Sequence, residues 1–247
     1  MVQLVLKRSI AAGLLLLTAA CEDQPGRPEL GQLDPVAVKP ATSDKIKSEE
    51  FRTWAPSDRA AFLAGRVLAA GKLLEAGHAE AALAQLTGAE QRQSTVKDGA
   101  LESLGFEPAR LEAVIAALEL DRPAEEIEPL LAGAESSLFA ALAASDVPPK
   151  ESVAFLMRLS AEAYERGVKY GEIIDAAAYQ SAYGYAVAAR EVVSPLDDAV
   201  YGALRLELDI LALMWPAAGP VPERTPPPEL RMSEQFARVK LALSALP

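Results

Sequence analysis

The abundance of alanine is the feature that most constrains the fold. The chain contains 48 alanines among its 247 residues, and leucine is also frequent. Alanine loses no side-chain entropy in a helix and has the highest helix propensity of all residues. Aromatic residues make up only 6% of the chain, and no run of β-branched residues is longer than two. The sequence therefore predicts an all-α fold, either a helical bundle or a short array of α-hairpins.

Glycine and proline divide the apolar periodicity into separate helices. A helix is expected wherever apolar residues recur every three to four positions between a capping residue or proline and a later glycine or proline. In chain order the predicted helices are 57–76, 79–87, 97–104, 108–118, 124–144, 148–166, 172–193, 195–215 and 233–246. The fifth contains Pro129, where it is expected to begin or bend. The eighth is expected to follow a cap at Ser194 and to run through the apolar series Leu204, Leu208, Leu211 and Met214.

Proline-rich stretches flank the predicted helical domain. Residues 50–215 are long enough for one hydrophobic core and short for two, so one domain is expected. Residues 21–49 are predicted to be a flexible tether, and residues 216–232 a Pro-rich linker. Residues 233–247 are predicted to form a separate amphipathic helix that would suit the groove of a partner. Docking of this helix on its own domain would argue against that role.

One segment resembles a known helical motif. Residues 67–88 are similar to a single helix-turn-helix unit of the tetratricopeptide type, in Gly71, the Glu75-Ala76-Gly77 turn and Ala82. No second copy recurs at a fixed period, and a solenoid needs about three repeats to bury its faces. The resemblance therefore concerns one hairpin and does not predict a repeat array.

The first twenty residues have the pattern of a secretory signal peptide. Lys7 and Arg8 form a basic start, and residues 9–20 carry no charge and end on small side chains. Only 12 residues separate Arg8 from Cys21, whereas a membrane-spanning helix needs about 20 apolar residues. A cleaved signal peptide is therefore predicted, rather than a retained transmembrane helix.

The end of this signal resembles the lipobox of bacterial lipoproteins. The matching stretch is Leu17-Thr18-Ala19-Ala20-Cys21, in which Leu17 lies one residue earlier than the family's usual leucine. The resemblance covers residues 1–21 and implies that diacylglycerol modifies the thiol of Cys21, the single cysteine of the chain. The alternative is an ordinary secreted protein. Lipidation would place the mature domain in the bacterial cell envelope, most simply in the periplasm, at either the inner or the outer membrane.

The charge balance bears on possible partners. Removing Lys7 and Arg8 with the signal takes the formal net charge from −11 to about −13. Nucleic acid is therefore not an expected partner, because phosphate binding needs a concentrated positive surface. Anionic lipid headgroups are disfavoured for the same reason, so membrane association is expected through the lipid on Cys21.

The tyrosines suggest a candidate ligand site. All six lie between residues 164 and 201. A helix over 172–193 would place two carboxylates and two phenols on one stripe, at spacing i, i+3, i+7, i+11. These side chains are Glu172, Asp175, Tyr179 and Tyr183, and the charged residues expected near them are Glu162, Glu165 and Arg190. Oxygen donors suit hard cations and aromatic rings contact organic ligands, so this face is a candidate ligand groove. The alternative is that the tyrosines pack in the core and the acids are solvated.

No pattern in the chain predicts an enzyme. His78 is the single histidine, and its position at a helix junction suggests a capping or solvent-facing role. A zinc site built on histidine and cysteine is excluded within the chain, and no cofactor is expected. Two functions follow as hypotheses. One is a lipid-anchored interaction or scaffold module with a protein partner in the envelope. The other is a periplasmic protein that binds a metal ion or small ligand through the tyrosine and carboxylate face.

Overall fold

Nine helices lie in the part of the chain that the computed structural model describes, which is residue 51, residues 53–88 and residues 99–247. They are α1 (Pro56–Glu75), α2 (Ala79–Leu86), α3 (Gly99–Glu102), α4 (Pro108–Glu119), α5 (Ala124–Ala143), α6 (Pro149–Gly167), α7 (Ala176–Val193), α8 (Asp198–Leu213) and α9 (Glu229–Ser244). A hairpin of two short strands, β1 (Val168–Lys169) and β2 (Glu172–Ile173), separates α6 from α7. The predicted all-α class is therefore confirmed.

Several helix ends lie where the sequence places a special residue. Prolines open α1, α4 and α6, because the first turn of a helix leaves its N–H groups unpaired in any case. Gly77 follows α1 at φ +81°, a left-handed conformation that suits glycine. Helix α5 runs through Pro129 from Ala124 and so does not begin at that proline. One detail differs from the prediction: the cap of α8 is Asp197, whose carboxylate accepts from the N–H of Ala199 at 2.9 Å, rather than Ser194.

The predicted signal peptide, the lipidation site at Cys21 and the tether lie outside the described residues. The same applies to residues 97 and 98 of the third predicted helix. Along the described residues, no helix is both long enough and apolar enough to cross a membrane.

Helices α1 and α7 cross at the centre of the fold with their backbones in close contact. A Cβ atom added to Gly184 of α7 would lie 2.0 Å from the carbonyl oxygen of Gly65 in α1. A Cβ atom added to Gly65 would lie 2.4 Å from the ring of Tyr185. Any side chain at these positions would hold the helices apart, so the two glycines set the central packing distance.

The other helices pack around this central pair. Helix α6 packs against α7, and its Ser160 hydroxyl donates to the carbonyl oxygen of Ala182 at 2.7 Å. Helices α2 and α5 pack against α1, and α4 packs against α5. Helix α8 packs against α7, and α9 packs against both α8 and α6. The result is a helical bundle in which α1 and α7 are the most enclosed elements.

The hairpin between α6 and α7 is closed by a two-residue turn. Val168 pairs with Ile173 and Lys169 with Glu172. The turn residues Tyr170 and Gly171 have φ +56° and +77°. Two consecutive positive φ values are characteristic of a type I′ turn, which matches the twist of the flanking strands.

The C-terminal segment is attached to the bundle, and α9 begins at Glu229, four residues before the predicted start. Met232 and Val239 are fully buried, because α9 packs against α6 and α8. Gln235 donates from Nε2 to both the backbone oxygen and the carboxylate of Glu207 in α8, each at 2.8 Å. The proline-containing segment before α9 is also anchored, since the hydroxyl of Tyr164 donates to the carbonyl oxygen of Pro227. The terminal helix is thus docked on its own domain.

Candidate functional site

The predicted tyrosine and carboxylate stripe does not form, because α7 begins at Ala176 rather than at 172. Glu172 lies in strand β2 and is exposed to solvent. Asp175 is the N-cap of α7, and its carboxylate accepts from the N–H of Ala178 at 3.0 Å. A capping carboxylate satisfies one of the unpaired N–H groups at the start of a helix. The single helix assumed for 172–193 was therefore wrong, and the two acids have separate structural settings.

The two phenols of that stripe pack against aromatic rings. Tyr179 is fully buried, with its ring centroid 6.2 Å from that of Tyr164 and 6.4 Å from that of Trp215. The ring of Tyr183 is 5.8 Å from Trp215 in an edge-on arrangement. Burial raises the pKa of both phenols above the ordinary value, so both stay protonated at neutral pH. These contacts match the alternative that the sequence left open, in which the tyrosines are core residues.

Three charged residues predicted near the stripe are distributed over different surfaces. Glu162 is exposed and lies 3.4 Å from Arg158 one turn earlier in α6. Arg190 contacts Glu191 at 2.7 Å and Asp209 of α8 at 4.0 Å. Arg190 is nevertheless close enough to Tyr183 for its positive charge to offset part of the rise that burial causes in the pKa of that phenol. The third residue, Glu165, lines a groove, described below.

No metal site is built in residues 51, 53–88 or 99–247. That part of the chain contains no group of three or more histidine, cysteine, aspartate or glutamate residues placed to hold one ion. His78 occupies the N-cap position of α2 without a side-chain capping bond, and its Nε2 lies 3.9 Å from the carboxylate of Glu223. Its position at a helix junction is as the sequence predicts.

A buried polar network, which the sequence did not predict, joins α2 to α1 and α7. Gln85 is fully buried, and its Nε2 donates to the oxygen of Ala177 and to Oε1 of Gln180, each at 3.1 Å. The hydroxyl of Ser181 also bonds to Gln85 Oε1 at 3.2 Å, and Arg66 donates to that hydroxyl. The side-chain amide of Gln85 and the hydroxyl of Ser181 both have hydrogen-bond partners within the fold, so we interpret the network as structural. No local pattern signals it, since its members lie in three separate helices.

Helix α8 has a second apolar face, directed to solvent. Its inner face carries Leu204, Leu208 and Leu211 of the predicted series, all fully buried. Its outer face carries five exposed apolar residues at spacing 4, 3, 4, 3, and we call this the outer α8 stripe: Ala199, Ala203, Leu206, Ile210 and Leu213. Leu213 is 81% exposed, Leu206 59% and Ile210 38%. Of the nine large exposed apolar side chains in the described residues, eight lie between Tyr170 and Leu241. Exposed apolar surface is therefore concentrated in the C-terminal third.

A groove of about 430 Å³ lies between the end of α6, the β-hairpin and the start of α9. We call it the hairpin groove. Its buried wall includes Val168 and Met232, with Phe236 beside them. Exposed charged residues surround it: Glu165, Lys169 and Glu229. Its volume is in the range of sites that take a small organic group.

Comparison with known proteins gives no indication of the function. No family model matches the chain, and no curated protein or solved structure matches it either.

Proposed function

We propose that this chain is a lipid-anchored helical protein of the bacterial cell envelope, which binds a protein partner through the outer α8 stripe. The anchor is supported by the lipobox-like stretch that ends at Cys21. The excess of acidic residues supports the lipid as the source of membrane affinity, because a net negative surface is repelled by anionic headgroups.

The observation that most directly supports an interaction function is the outer α8 stripe. An apolar patch of this kind on a soluble domain is typical of a surface that is covered in a complex. Its 4-3 spacing is that of a heptad seam, which favours an amphipathic helix of the partner over a flat surface. Burying Leu206, Ile210 and Leu213 would stabilise such a complex by about 3 kcal/mol.

Two other versions of the function are less well supported. The terminal helix α9 is docked on α6 and α8, so it is not a free element that seeks a partner's groove. The predicted ligand face is occupied by Asp175 capping α7 and by Tyr179 in the core. In the outer α8 stripe, by contrast, Leu206 and Leu213 remain mostly exposed in the described structure, and only Ile210, which is 38% exposed, lies beside α9.

Site-specific photocrosslinking in the native envelope tests the interaction. A photoreactive residue at Leu206 is expected to give a discrete adduct with one protein. The matched control is the same residue at Leu120, which is 67% exposed but lies outside the stripe, between α4 and α5. Equal labelling from both positions, or an adduct of twice the mass of the mature protein, would contradict a heterologous partner at the stripe.

The anchor is tested separately. The substitution Cys21→Ser is expected to abolish labelling by a fatty-acid analogue and to release the domain from membranes. Unchanged labelling and unchanged membrane fractionation of that variant would refute the lipoprotein assignment.

A further inference from the structure

The hairpin groove combines an apolar wall with a charged rim. Met232 is fully buried and Val168 nearly so, and both contribute to the wall. The rim carries two carboxylates, Glu165 and Glu229, and one ammonium group, Lys169. Lys169 lies directly opposite Glu172 in the register of the hairpin, so a further carboxylate faces that cation across the strands. These charged side chains around the groove therefore carry a net negative charge.

Tyr170 is placed at the edge of this groove in an unusual way. Its side chain is 96% exposed although it is a large aromatic residue, and it lines the groove. It occupies the first central position of the type I′ turn with φ +56°. That position favours asparagine, aspartate or glycine, because a bulky side chain is strained in the left-handed region. Neither core packing nor turn formation accounts for a tyrosine here, whereas an aromatic surface for a ligand does.

Glu229 ties the parts of the groove together. One oxygen of its carboxylate, Oε2, accepts the N–H of Gly171 at 3.2 Å, so the first turn of α9 holds the tip of the hairpin. The same carboxylate is one of the causes, after burial, that raise the pKa of Tyr164 in the wall. The hydrogen bond with Gly171 fixes the hairpin, which carries Tyr170, relative to α9, which carries Glu229 and Phe236.

We propose that the hairpin groove binds an arginine side chain of a protein partner. The aliphatic stem lies against the partly exposed ring of Phe236, and the guanidinium group lies between the rim carboxylates and the ring of Tyr170. A guanidinium group is planar, bonds to carboxylates through two N–H groups at once and stacks on aromatic faces, which matches this set of side chains. The inference rests on the proposed function only in that the arginine belongs to a protein.

Nuclear magnetic resonance titration of the purified full chain tests the ligand chemistry. The probes are the blocked tripeptides acetyl-Leu-Arg-Leu-amide and acetyl-Leu-citrulline-Leu-amide. Citrulline replaces the charged guanidinium group by a neutral urea of similar shape, with fewer N–H donors. The arginine peptide is expected to shift the backbone amide signals of residues 168–172 and to bind about tenfold more tightly than the citrulline peptide. Equal affinity of the two peptides, or shifts that avoid the hairpin, would overturn the proposal.

Three substitutions locate the binding energy. Glu165→Gln is expected to weaken the arginine peptide about tenfold, and Tyr170→Asn several-fold. Tyr170→Phe, which keeps the ring, is expected to retain the affinity. Glu162→Gln is the matched control. Glu162 lies three residues before Glu165 on α6 but does not line the groove, so its substitution should leave the affinity unchanged. Equal effects of Glu165→Gln and Glu162→Gln would overturn the assignment.

The two proposals fail separately. Peptide binding depends on the groove and requires neither the lipid nor the outer α8 stripe. Loss of the Leu206 crosslink would therefore refute the stripe as the partner surface while the peptide titration still reported on the groove. Loss of discrimination between arginine and citrulline would refute the groove while the crosslink still reported on the stripe.

Discussion

The crossing of α1 and α7 makes a sharp prediction about glycine. In Gly184→Ala, the new Cβ would lie 2.0 Å from the carbonyl oxygen of Gly65 and 2.9 Å from the Cβ of Ala69. The first contact is with backbone, so no rotamer change relieves it, and the two helices must separate. The same substitution at Gly71 of α1 meets nothing within 4 Å. The two variants add the same methyl group to a helix, at a tight backbone contact in Gly184→Ala and in open space in Gly71→Ala.

The magnitudes follow from the two environments. Alanine in place of glycine inside a helix stabilises by about 0.5–1 kcal/mol, because the unfolded chain loses conformational freedom. Gly71→Ala is expected to show this gain in full. For Gly184→Ala the gain is outweighed by overpacking at a backbone contact, which costs about 3 kcal/mol or more. The net expectation is a destabilisation of about 2–3 kcal/mol. In a chain of this size that corresponds to a fall in Tm of about 5–10 °C.

Urea and thermal unfolding of the full chain, followed by circular dichroism at a helical wavelength, would measure both variants against the unsubstituted protein. The difference between the two free energies of unfolding is the informative quantity, since helix propensity is common to both. A Gly184→Ala variant as stable as Gly71→Ala would refute the close crossing of α1 and α7 and with it the central packing described above.

Three further predictions concern buried polar groups. Gln85→Leu is expected to lower the free energy of unfolding by about 2 kcal/mol in urea titration, because it removes the donor to the buried Oε1 of Gln180. The hydroxyl of Ser181 keeps its bond to the carbonyl oxygen of Ala177. A change below 0.5 kcal/mol, roughly the scale of a surface substitution, would contradict the network. Tyr179→Phe is expected to leave stability unchanged or raise it slightly, since the buried hydroxyl has no hydrogen-bond partner in the described structure, and a clear loss in the same assay would show that the hydroxyl is paired. Burial, then the charge of a nearby glutamate, raises the pKa of Glu135 above 4.5 in the folded chain. The folded chain then holds this proton more tightly than the unfolded chain, so its stability falls as pH rises through that pKa. Glu135→Gln should therefore stabilise the chain at pH 7 and lose this advantage at about pH 4, and an advantage independent of pH would contradict it.

Helix positions were largely predictable because their signals are local. Pro56, Pro108 and Pro149 open helices where the sequence placed them within one or two residues. The start of α7 was not predictable in the same way. A hairpin with two residues per strand is too short to show the alternation of a strand, so residues 172–175 continued the apparent helical pattern. Tyr170 and Gly171 form the turn, and a tyrosine is not a residue that signals a type I′ turn.

The candidate site was predicted only in part for a related reason. The clustering of tyrosines pointed to the region of the hairpin groove, which Tyr164, Tyr170 and Glu165 line, and whether that groove is a site stays a prediction. The stripe drawn from Glu172 to Tyr183 failed because it assumed one continuous helix. Met232 and Glu229, which complete the groove, come from α9 almost sixty residues later, and no local pattern connects them to the hairpin.

The sequence by itself determined the helical class, the helix ends at proline and glycine, and the segments with signal-peptide and tether composition. These depend on propensity and capping, which act within a few residues. Only the tertiary structure decided which apolar faces are buried. In α8, Leu204, Leu208 and Leu211 are as apolar as Leu206, Ile210 and Leu213, yet the first set is buried and the second is exposed. Burial depends on which distant helices pack alongside, and here the close approach at Gly65 and Gly184 and the docking of α9 decide it.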